Sequence, residues 1–105
     1  MYTLFMTVEN LKNLVEEKLK FTPSLGVKFK FNLGDDGVIL IDGTQTPAVV
    51  SEEDIDADTT FICTADTMAA LLSGKQDPTM AFMSGKLKVQ GSMGNALKLA
   101  SMLED

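Results

Sequence analysis

The chain has 105 residues, which fits one domain over residues 1–105, and 45% of them are hydrophobic, as in globular proteins. Nine Lys stand against fifteen Asp and Glu, for a net charge of −6; this acidic balance disfavours nucleic acid as a partner and disfavours purely electrostatic docking on anionic membranes. The chain has no His and no Arg, so it lacks the usual general base, the commonest metal ligand and the best phosphate clamp.

The N-terminal segment predicts an amphipathic helix that begins near Thr7, the expected N-cap. Glu and Lys side chains on its polar face balance each other, so this helix is neutral overall. The segments Thr22-Pro23-Ser24 and Gly26 are expected to end it. Its predicted apolar face consists of Leu4, Phe5, Val8, Leu11, Leu14, Val15 and Leu19.

Three strands are predicted next, and we expect them to form an antiparallel meander. Residues 27–33 alternate apolar and polar side chains, which indicates a strand with one solvated face. Residues 34–37 (Gly-Asp-Asp-Gly) predict a hairpin turn. Residues 38–41 are apolar on both faces, so they should lie inside the sheet or beneath a helix. Residues 48–50, after Pro47, give the third strand.

A fourth strand and a short helix follow. Residues 51–58 form an acidic connector, and residues 59–64 predict the strand. Asp66 is the expected N-cap of the helix, and Gly74 is expected to end it.

The C-terminal part predicts a second short helix, a fifth strand and a last helix. Asp77-Pro78 combines an N-cap with Pro at the first helical position, and Gly85 should end the helix at Ser84. Residues 86–90 alternate again and predict the strand. Ser92 is the expected cap of the last helix, whose shared apolar face consists of Met93, Ala96, Leu97, Ala100 and Leu103.

This order of elements predicts an α+β fold: a five-stranded, mainly antiparallel sheet with helices packed on one face. No stretch reaches 18 consecutive apolar residues, the length a spanning helix needs. We found no signal-peptide core at the N-terminus and no peroxisomal address at the C-terminus, so we expect a cytoplasmic protein. The single cysteine, Cys63, cannot form an internal disulfide and fits a reducing compartment.

The second half of the chain contains a series of short, distinctive motifs. The most specific is Gly-Lys-Leu-Lys at residues 85–88, followed by Gly-Ser-Met-Gly at residues 91–94. With these motifs the chain resembles the sterol carrier protein type 2 family. The Phe-Lys-Phe-Asn-Leu strand with its Asp-Gly turn also fits the family's first hairpin. The resemblance covers nearly the whole chain and is strongest from Thr59 onward. Further matching motifs are Ala65-Asp66, Ser73-Gly74-Lys75, Asp77-Pro78, Ala81-Phe82 and Ala96-Leu97-Lys98-Leu99.

The resemblance implies an apolar tunnel between the sheet and the helices. It also implies loosely selective binding of fatty acids, fatty acyl-CoA, phospholipids or sterols, by a carrier that is not an enzyme and uses no cofactor. Three departures limit what can be transferred. Ser84 stands where animal members often have Gln, the first helix is neutral where theirs is often basic, and the peroxisomal tail is missing. Head-group preference and membrane docking are therefore not carried over.

The helices predicted between Asp66 and Gly85 form the expected wall of the tunnel. Each spans only about two turns, roughly 10 Å, so it is held by packing and can shift easily. Met side chains are flexible and suit promiscuous apolar surfaces, although Met and Phe at helical spacing are more often plain core. The predicted lipid-binding residues are Phe29, Phe31, Ile39, Ile41, Phe61, Met68, Leu71, Leu72, Met80, Phe82, Met83, Ser84, Leu87, Val89, Met93 and Leu97.

An empty rigid tunnel would destabilise a domain of this size severely. Core cavities cost about 24 cal/mol per Å³, so a lipid-sized void of about 400 Å³ would cost roughly 10 kcal/mol. Whole domains are stable by only about 5–15 kcal/mol. We therefore expect the tunnel to be partly collapsed, wet or occupied.

The acidic connector contains a pattern similar to a calcium-binding loop. Asp54, Asp56 and Asp58 have the spacing of a calcium loop, but Thr59 and Ala65 stand where that loop needs Gly and Glu. A solvated acidic loop is favoured, and no metal site is predicted.

Residues 91–94 lie between a strand and a helix, where backbone amides can hold an anion. A tight turn is favoured over a weak site for a carboxylate or phosphate with Ser92 as donor.

Cys63 has no His to activate it and is interpreted as a buried side chain that fills the core. Lys86 and Lys88 are placed on the solvated face of their strand, and head-group capture is their minor alternative.

These observations favour soluble binding, and possible intermembrane transfer, of a lipid or acyl-chain ligand, with at most transient membrane contact. The alternative is an accessory or interaction domain that presents acyl-CoA to, or docks on, a separate partner protein, such as an enzyme of fatty-acid metabolism, without transfer activity of its own. An intrinsic enzyme is disfavoured because no catalytic constellation is recognisable.

Overall fold

The computed structural model describes residues 7–103. The predicted residues Leu4 and Phe5 of the first helix lie outside this range. The predicted order of helices and strands is confirmed. The elements are α1 (Val8–Leu19), β1 (Lys28–Asn32), β2 (Val38–Asp42), β3 (Val49–Ser51), β4 (Thr59–Ile62), α2 (Ala65–Leu72), α3 (Pro78–Met83), β5 (Lys88–Gly91) and α4 (Met93–Leu103), with a short 3-10 turn at Gly34–Asp36 between β1 and β2.

The five strands form one sheet in the order β3-β2-β1-β4-β5. The meander of β1, β2 and β3 is antiparallel, as predicted, and β4 pairs antiparallel with β5. The exception is the central pair, because β4 lies parallel to β1. The expected α+β architecture with a mainly antiparallel sheet is therefore confirmed.

The acidic connector between β3 and β4 crosses the face of the sheet that the helices leave free. Lys30 alternates with the buried Phe29 and Phe31, so it points away from the core. Its Nζ lies 3.0 Å from Oδ1 of Asp54, in the connector. Leu40, the cross-strand neighbour of Lys30, is only 3% exposed. The predicted acidic loop is thus tied to the outer side of β1 through the Lys30–Asp54 ion pair.

The inner face of the sheet carries the core. Successive inward residues of β1, β2 and β4 are fully or almost fully buried, which follows from the alternation seen in the sequence. Helix α1 contacts β2 and β3 and packs its predicted face into this layer; Leu14, expected on that face, is instead 36% exposed at its margin. The inward strand residues are Phe29, Phe31, Ile39, Ile41, Thr59 and Phe61.

Side-chain caps begin the helices, and one predicted cap was wrong. Thr7 accepts the amide of Asn10, and Asp77 accepts the amide of Met80 at 3.0 Å, as expected. Helix α2, however, begins at Ala65, so the residue with extended backbone before it is Thr64, whose Oγ1 accepts the amide of Thr67 at 3.0 Å. Asp66 lies instead in the first turn, where its negative charge interacts favourably with the helix dipole.

The fifth strand begins at Lys88 rather than at Lys86. The amides of Lys86 and Leu87 both donate to the carbonyl of Ala81, at 2.9 and 3.1 Å. These bonds, with Gly85 at a positive φ of 83°, close the end of α3. The first two residues of the predicted strand are therefore used to end the preceding helix.

The junction of β5 and α4 is fixed against β4. The Thr59 hydroxyl, fully buried, donates to the carbonyl of Ser92 at 3.1 Å. Gly91 has a φ of 93°, and a Cβ there would lie 2.3 Å from the carbonyl oxygen of Asp58. The Ser92 hydroxyl accepts the amide of Asn95 at 3.1 Å. Residues 91–94 thus form the tight turn and helix cap that the sequence favoured.

Candidate functional site

Two adjoining apolar clefts lie between the sheet and helices α2, α3 and α4. They share a common wall formed by Phe61, Pro78, Leu87 and Ala100. Because these four residues come from β4, α3, the approach to β5 and α4, every layer of this half of the molecule contributes to the junction of the clefts.

The floor of the clefts is an aromatic pair. Phe31 and Phe61 are cross-strand partners in the parallel pair β1–β4. Their rings stack with centroids 4.6 Å apart and planes 13° from parallel. Both are 3% exposed. The floor is therefore a stacked and buried aromatic pair on the sheet, with Phe61 lining both clefts and Phe31 the inner one.

The first space, which we call the inner cleft, lies beneath α2 and the C-terminal half of α4. Helix α2 supplies its buried face, because Met68 and Leu72 are at most 2% exposed. The inner cleft is lined by Phe31, Phe61, Met68, Leu71, Leu72, Pro78, Leu87, Ala100 and Leu103.

The second space, which we call the outer cleft, lies between α3 and the N-terminal half of α4. Three of its lining side chains are also exposed to solvent, with Phe82 at 44%, Met93 at 41% and Leu97 at 58%. This cleft therefore connects the interior with the surface. It is lined by Phe61, Pro78, Thr79, Phe82, Leu87, Val89, Met93, Ala96, Leu97 and Ala100.

Helix α3 is the weakest wall of the site. It has six residues, and of these only Ala81 is buried. An isolated helix of this length is unstable, so α3 depends on its Asp77 cap, on Pro78 at its first position and on the closing bonds to Ala81. Ala81 is thus the one buried side chain that anchors α3 to the core.

Both clefts are narrow in this structure. Their cavity volumes are about 30 Å³ for the inner cleft and 70 Å³ for the outer cleft. Ligand sites for small molecules are typically about 300–1,000 Å³. These small volumes correspond to a partly collapsed tunnel, which is one of the states expected from the energetic cost of an empty cavity. A long ligand would have to displace the helices to enter.

The structure brings ten of the sixteen predicted site residues to these clefts and places six elsewhere. Phe29, Ile39 and Ile41 are fully buried in the core and do not line either cleft. Met80, Met83 and Ser84 are exposed on α3 and at its end. The ten that line the clefts are Phe31, Phe61, Met68, Leu71, Leu72, Phe82, Leu87, Val89, Met93 and Leu97.

Five lining residues were absent from the predicted set: Pro78, Thr79, Ala96, Ala100 and Leu103. Ala96, Ala100 and Leu103 belong to the predicted apolar face of the last helix, so their spacing carries the signal. The small size of Ala96 and Ala100 is what leaves room beside α4, and a search for bulky apolar residues overlooks it.

Polar chemistry lies away from the clefts. Cys63 is half-buried, and burial raises the pKa of its thiol to about 11, so the reactive thiolate is scarce at neutral pH. In the connector, Asp54 pairs with Lys30, and Asp58 accepts the amide of Lys28 at 2.8 Å.

Within residues 7–103 no cluster of three or more His, Cys, Asp or Glu side chains has the arrangement of a metal site. No helix in that range is both long and apolar enough to cross a membrane.

The fold and the clefts define a small α+β protein with narrow apolar clefts beside a short, mostly exposed helix. The model of the SCP-2 sterol transfer family matches residues 8–104. The chain therefore belongs to this family, and the resemblance noted in the sequence is confirmed.

Comparison with known proteins gives relatives of two kinds. Sterol carrier protein 2 of Rattus norvegicus is 33% identical over 105 residues, covering 94% of this chain and 19% of the relative. Hydroxysteroid dehydrogenase-like protein 2 of Xenopus tropicalis is 36% identical over 101 residues, covering 94% of this chain and 24% of the relative. The chain thus spans about a fifth to a quarter of the length of these two proteins.

A solved structure, sterol carrier protein 2 from Yarrowia lipolytica in its apo form, matches with a TM-score of 0.75. It is 21% identical, and the match covers 90% of this chain and 87% of that one. At this identity the likeness shows the fold alone.

Proposed function

We propose that this chain binds one lipid molecule, a fatty acid, fatty acyl-CoA, phospholipid or sterol, with its hydrocarbon part in the joined inner and outer clefts, and transfers it between membranes. The family supports lipid or sterol binding and transfer in general. The observation that carries the proposal is the shared wall of Phe61, Pro78, Leu87 and Ala100, because the two apolar clefts lie on either side of it and a shift of these side chains would join them.

Entry of a ligand requires the clefts to widen, and the energetics allow it. Each buried methylene of a hydrocarbon chain contributes about 0.8 kcal/mol. Moving α3 disturbs the single buried side chain of Ala81 and a few backbone bonds at its ends. We expect the burial of several methylenes to offset the cost of displacing this helix, with the Phe31–Phe61 pair retained as the floor.

The direct test is delipidated protein mixed with palmitate, an acyl-CoA or cholesterol. A ligand at 100 times its Kd stabilises the folded state by about 2.7 kcal/mol, which corresponds to a rise in Tm of about 10 °C for a domain of this size. Native mass spectrometry should show one added ligand mass per chain. An unchanged Tm and no added mass across fatty acids, acyl-CoA, phospholipids and sterols would refute the proposal.

A matched pair of variants tests the location. Ala100→Phe places a ring at the junction of the clefts and should lower acyl-chain affinity at least about tenfold. Ser101→Phe adds the same ring on the exposed side of α4 and should leave affinity unchanged. Equal affinity of the two variants would place the ligand elsewhere.

The alternative, an accessory domain that presents acyl-CoA to a partner protein or docks on one, is favoured by one observation. The relatives from Rattus norvegicus and Xenopus tropicalis are several times longer than the region that matches. Lipid transfer between donor and acceptor vesicles separates the two functions. Stoichiometric acyl-CoA binding with no catalysed transfer would favour the accessory function. In both cases we infer that the chemistry on the lipid, if any, is done by another protein.

A further inference from the structure

The two clefts differ in polarity as well as in exposure. Every described side chain that lines the inner cleft is apolar, and those at its end, such as Met68 and Leu103, are at most 6% exposed. Among the described side chains that line the outer cleft, Thr79 alone has a hydrogen-bonding group. A ligand with one polar end should therefore place that end in the outer cleft and its hydrocarbon in the inner cleft.

The hydroxyl of Thr79 is free to meet such a ligand. Thr79 is exposed in the first turn of α3, and its hydroxyl forms no hydrogen bond with any other residue in the range 7–103. The hydroxyls that begin the neighbouring helices are engaged, because Thr64 caps α2 and Ser92 caps α4. A hydroxyl can donate one hydrogen bond and accept two, so Thr79 can bind either kind of polar group.

The charged group next to Thr79 is the carboxylate of Asp77. Its Oδ2 lies 3.0 Å from the backbone nitrogen of Met80, which is the atom bonded to the carbonyl carbon of Thr79. The two side chains therefore belong to the same turn, at the rim of the outer cleft. A negative charge at this place repels an anionic head group that approaches the Thr79 hydroxyl.

No lysine of the described chain lines either cleft to offset that charge. Lys86 and Lys88 line a separate groove beyond the sheet, because Lys88 alternates with Val89, which lines the outer cleft. Lys98 is exposed and follows Leu97 on α4, but it does not line the outer cleft. An anionic head group would thus have a carboxylate as its neighbour and no lining cation as its partner.

We propose that the clefts select a single-chain lipid with an uncharged hydroxyl end, such as a long-chain alcohol, whose hydroxyl bonds to Thr79 while its chain fills the inner cleft. A hydroxyl both donates and accepts, and it carries no charge to meet Asp77. The cavity volumes of about 30 and 70 Å³ favour one unbranched chain over two chains or fused rings. This inference rests on the proposed lipid-binding function and narrows its ligand class, with Thr79 as a positioning residue.

The test compares dodecanol with laurate, which have the same chain length and differ only at the polar end. Isothermal titration calorimetry of the delipidated chain near neutral pH gives both affinities. We expect the chain to bind dodecanol at least about tenfold more tightly than laurate, because only the carboxylate is repelled and cannot donate.

Variants of Thr79 test its role. Thr79→Val keeps the shape of the side chain and removes the hydroxyl, so it should lower dodecanol affinity about fivefold and change laurate affinity little. Thr79→Ser should restore dodecanol binding. Thr60→Val is the matched control, because Thr60 lines neither cleft. A purely structural role of Thr79 would weaken both ligands equally.

Asp77→Asn tests the charge, since Asn also caps a helix. It should raise laurate affinity about twofold to threefold and leave dodecanol affinity unchanged. Equal changes for the two ligands would show that the charge of Asp77 does not select between them.

Three results would overturn the inference. Laurate bound as tightly as dodecanol, or more tightly, would reject the selection of an uncharged end and leave the proposed lipid binding standing. Laurate affinity that is lost in Lys98→Gln would place a carboxylate on that lysine instead. Dodecanol affinity that does not differ between the wild-type chain and Thr79→Val would remove the role of Thr79. Absence of binding for both ligands would count against the proposed function itself.

Discussion

One sheet in this molecule is covered in two different ways. Where α1 covers it, the helix buries Leu11, Val15 and Leu19 to 1% exposure or less. Where α3 and the first turns of α4 cover it, large apolar side chains such as Met83 and Leu97 remain mostly exposed. The first cover is a filled core and the second is a set of clefts. The difference teaches that closeness of packing, more than hydrophobicity, separates core from candidate site.

The physical cause of the difference is the length and spacing of the helices. Helix α1 has twelve residues, so three turns of one face reach the sheet. Helix α3 has six residues between Pro78 and Gly85, and only one side chain reaches the interior. Ala96 and Ala100 on α4 then leave space that α3 cannot fill.

The largest expected effect comes from replacing one Leu by Ala beneath each cover, in α1 and in α4. Leu11→Ala removes a fully buried side chain and should lower the free energy of unfolding by about 3–5 kcal/mol. Leu97→Ala removes one that is 58% exposed and should cost about 1 kcal/mol or less. Urea denaturation measures both. Similar losses would mean that the two covers do not differ in packing.

Local opening should differ in the same direction. The free energy of local opening should be at least about 2 kcal/mol lower in α3 than in α1. The amide hydrogens of α3 should therefore exchange with solvent about 30-fold faster. Hydrogen exchange followed by mass spectrometry measures this, and a bound fatty acid should slow exchange in α3 with little change in α1. Equal protection of the two helices in the free protein would contradict the proposed moving wall.

Cys63 follows directly after β4 and reports packing at that end of the core. Because burial raises its pKa from 9.0 to about 11, alkylation by iodoacetamide at pH 8–9 should be at least about tenfold slower in the folded chain than in urea. The raised pKa also makes stability pH-dependent: the contribution is complete below pH 9.0 and is lost as the pH rises through about 11. Equal alkylation rates in the folded and unfolded chain would show that the thiol is not desolvated.

The smallest effect concerns the fixed junction from which α4 begins. Thr59→Val keeps the shape of the side chain and removes the hydroxyl that donates to Ser92, which should cost about 1 kcal/mol. Thr60→Val, on the opposite face of β4, is the control and should change stability by less than about 0.5 kcal/mol. Thermal unfolding measures the stability of both variants. Equal losses would show that the buried hydrogen bond from Thr59 to Ser92 does not stabilise the junction.

Much of the fold was predictable because local patterns agreed with the final packing. Alternation in residues 27–33 marked β1, and the Asp77-Pro78 pair marked the start of α3. The errors fell where hydrogen bonds from distant or neighbouring backbone decided the boundary. Thr64, and not Asp66, is the N-cap of α2. Two amides of the predicted fifth strand donate instead to the carbonyl of Ala81.

By itself, the sequence determined the order of elements, the inward faces of the strands and the family. The tertiary structure alone decided that β4 lies parallel to β1, and therefore that Phe31 stacks on Phe61 as the floor of the clefts. It also decided that Phe29, Ile39 and Ile41 belong to the filled core although their apolar pattern is the same as that of Phe31 and Phe61. The reason is physical: alternation fixes which face a side chain occupies, whereas the atoms opposite it come from helices distant in the chain.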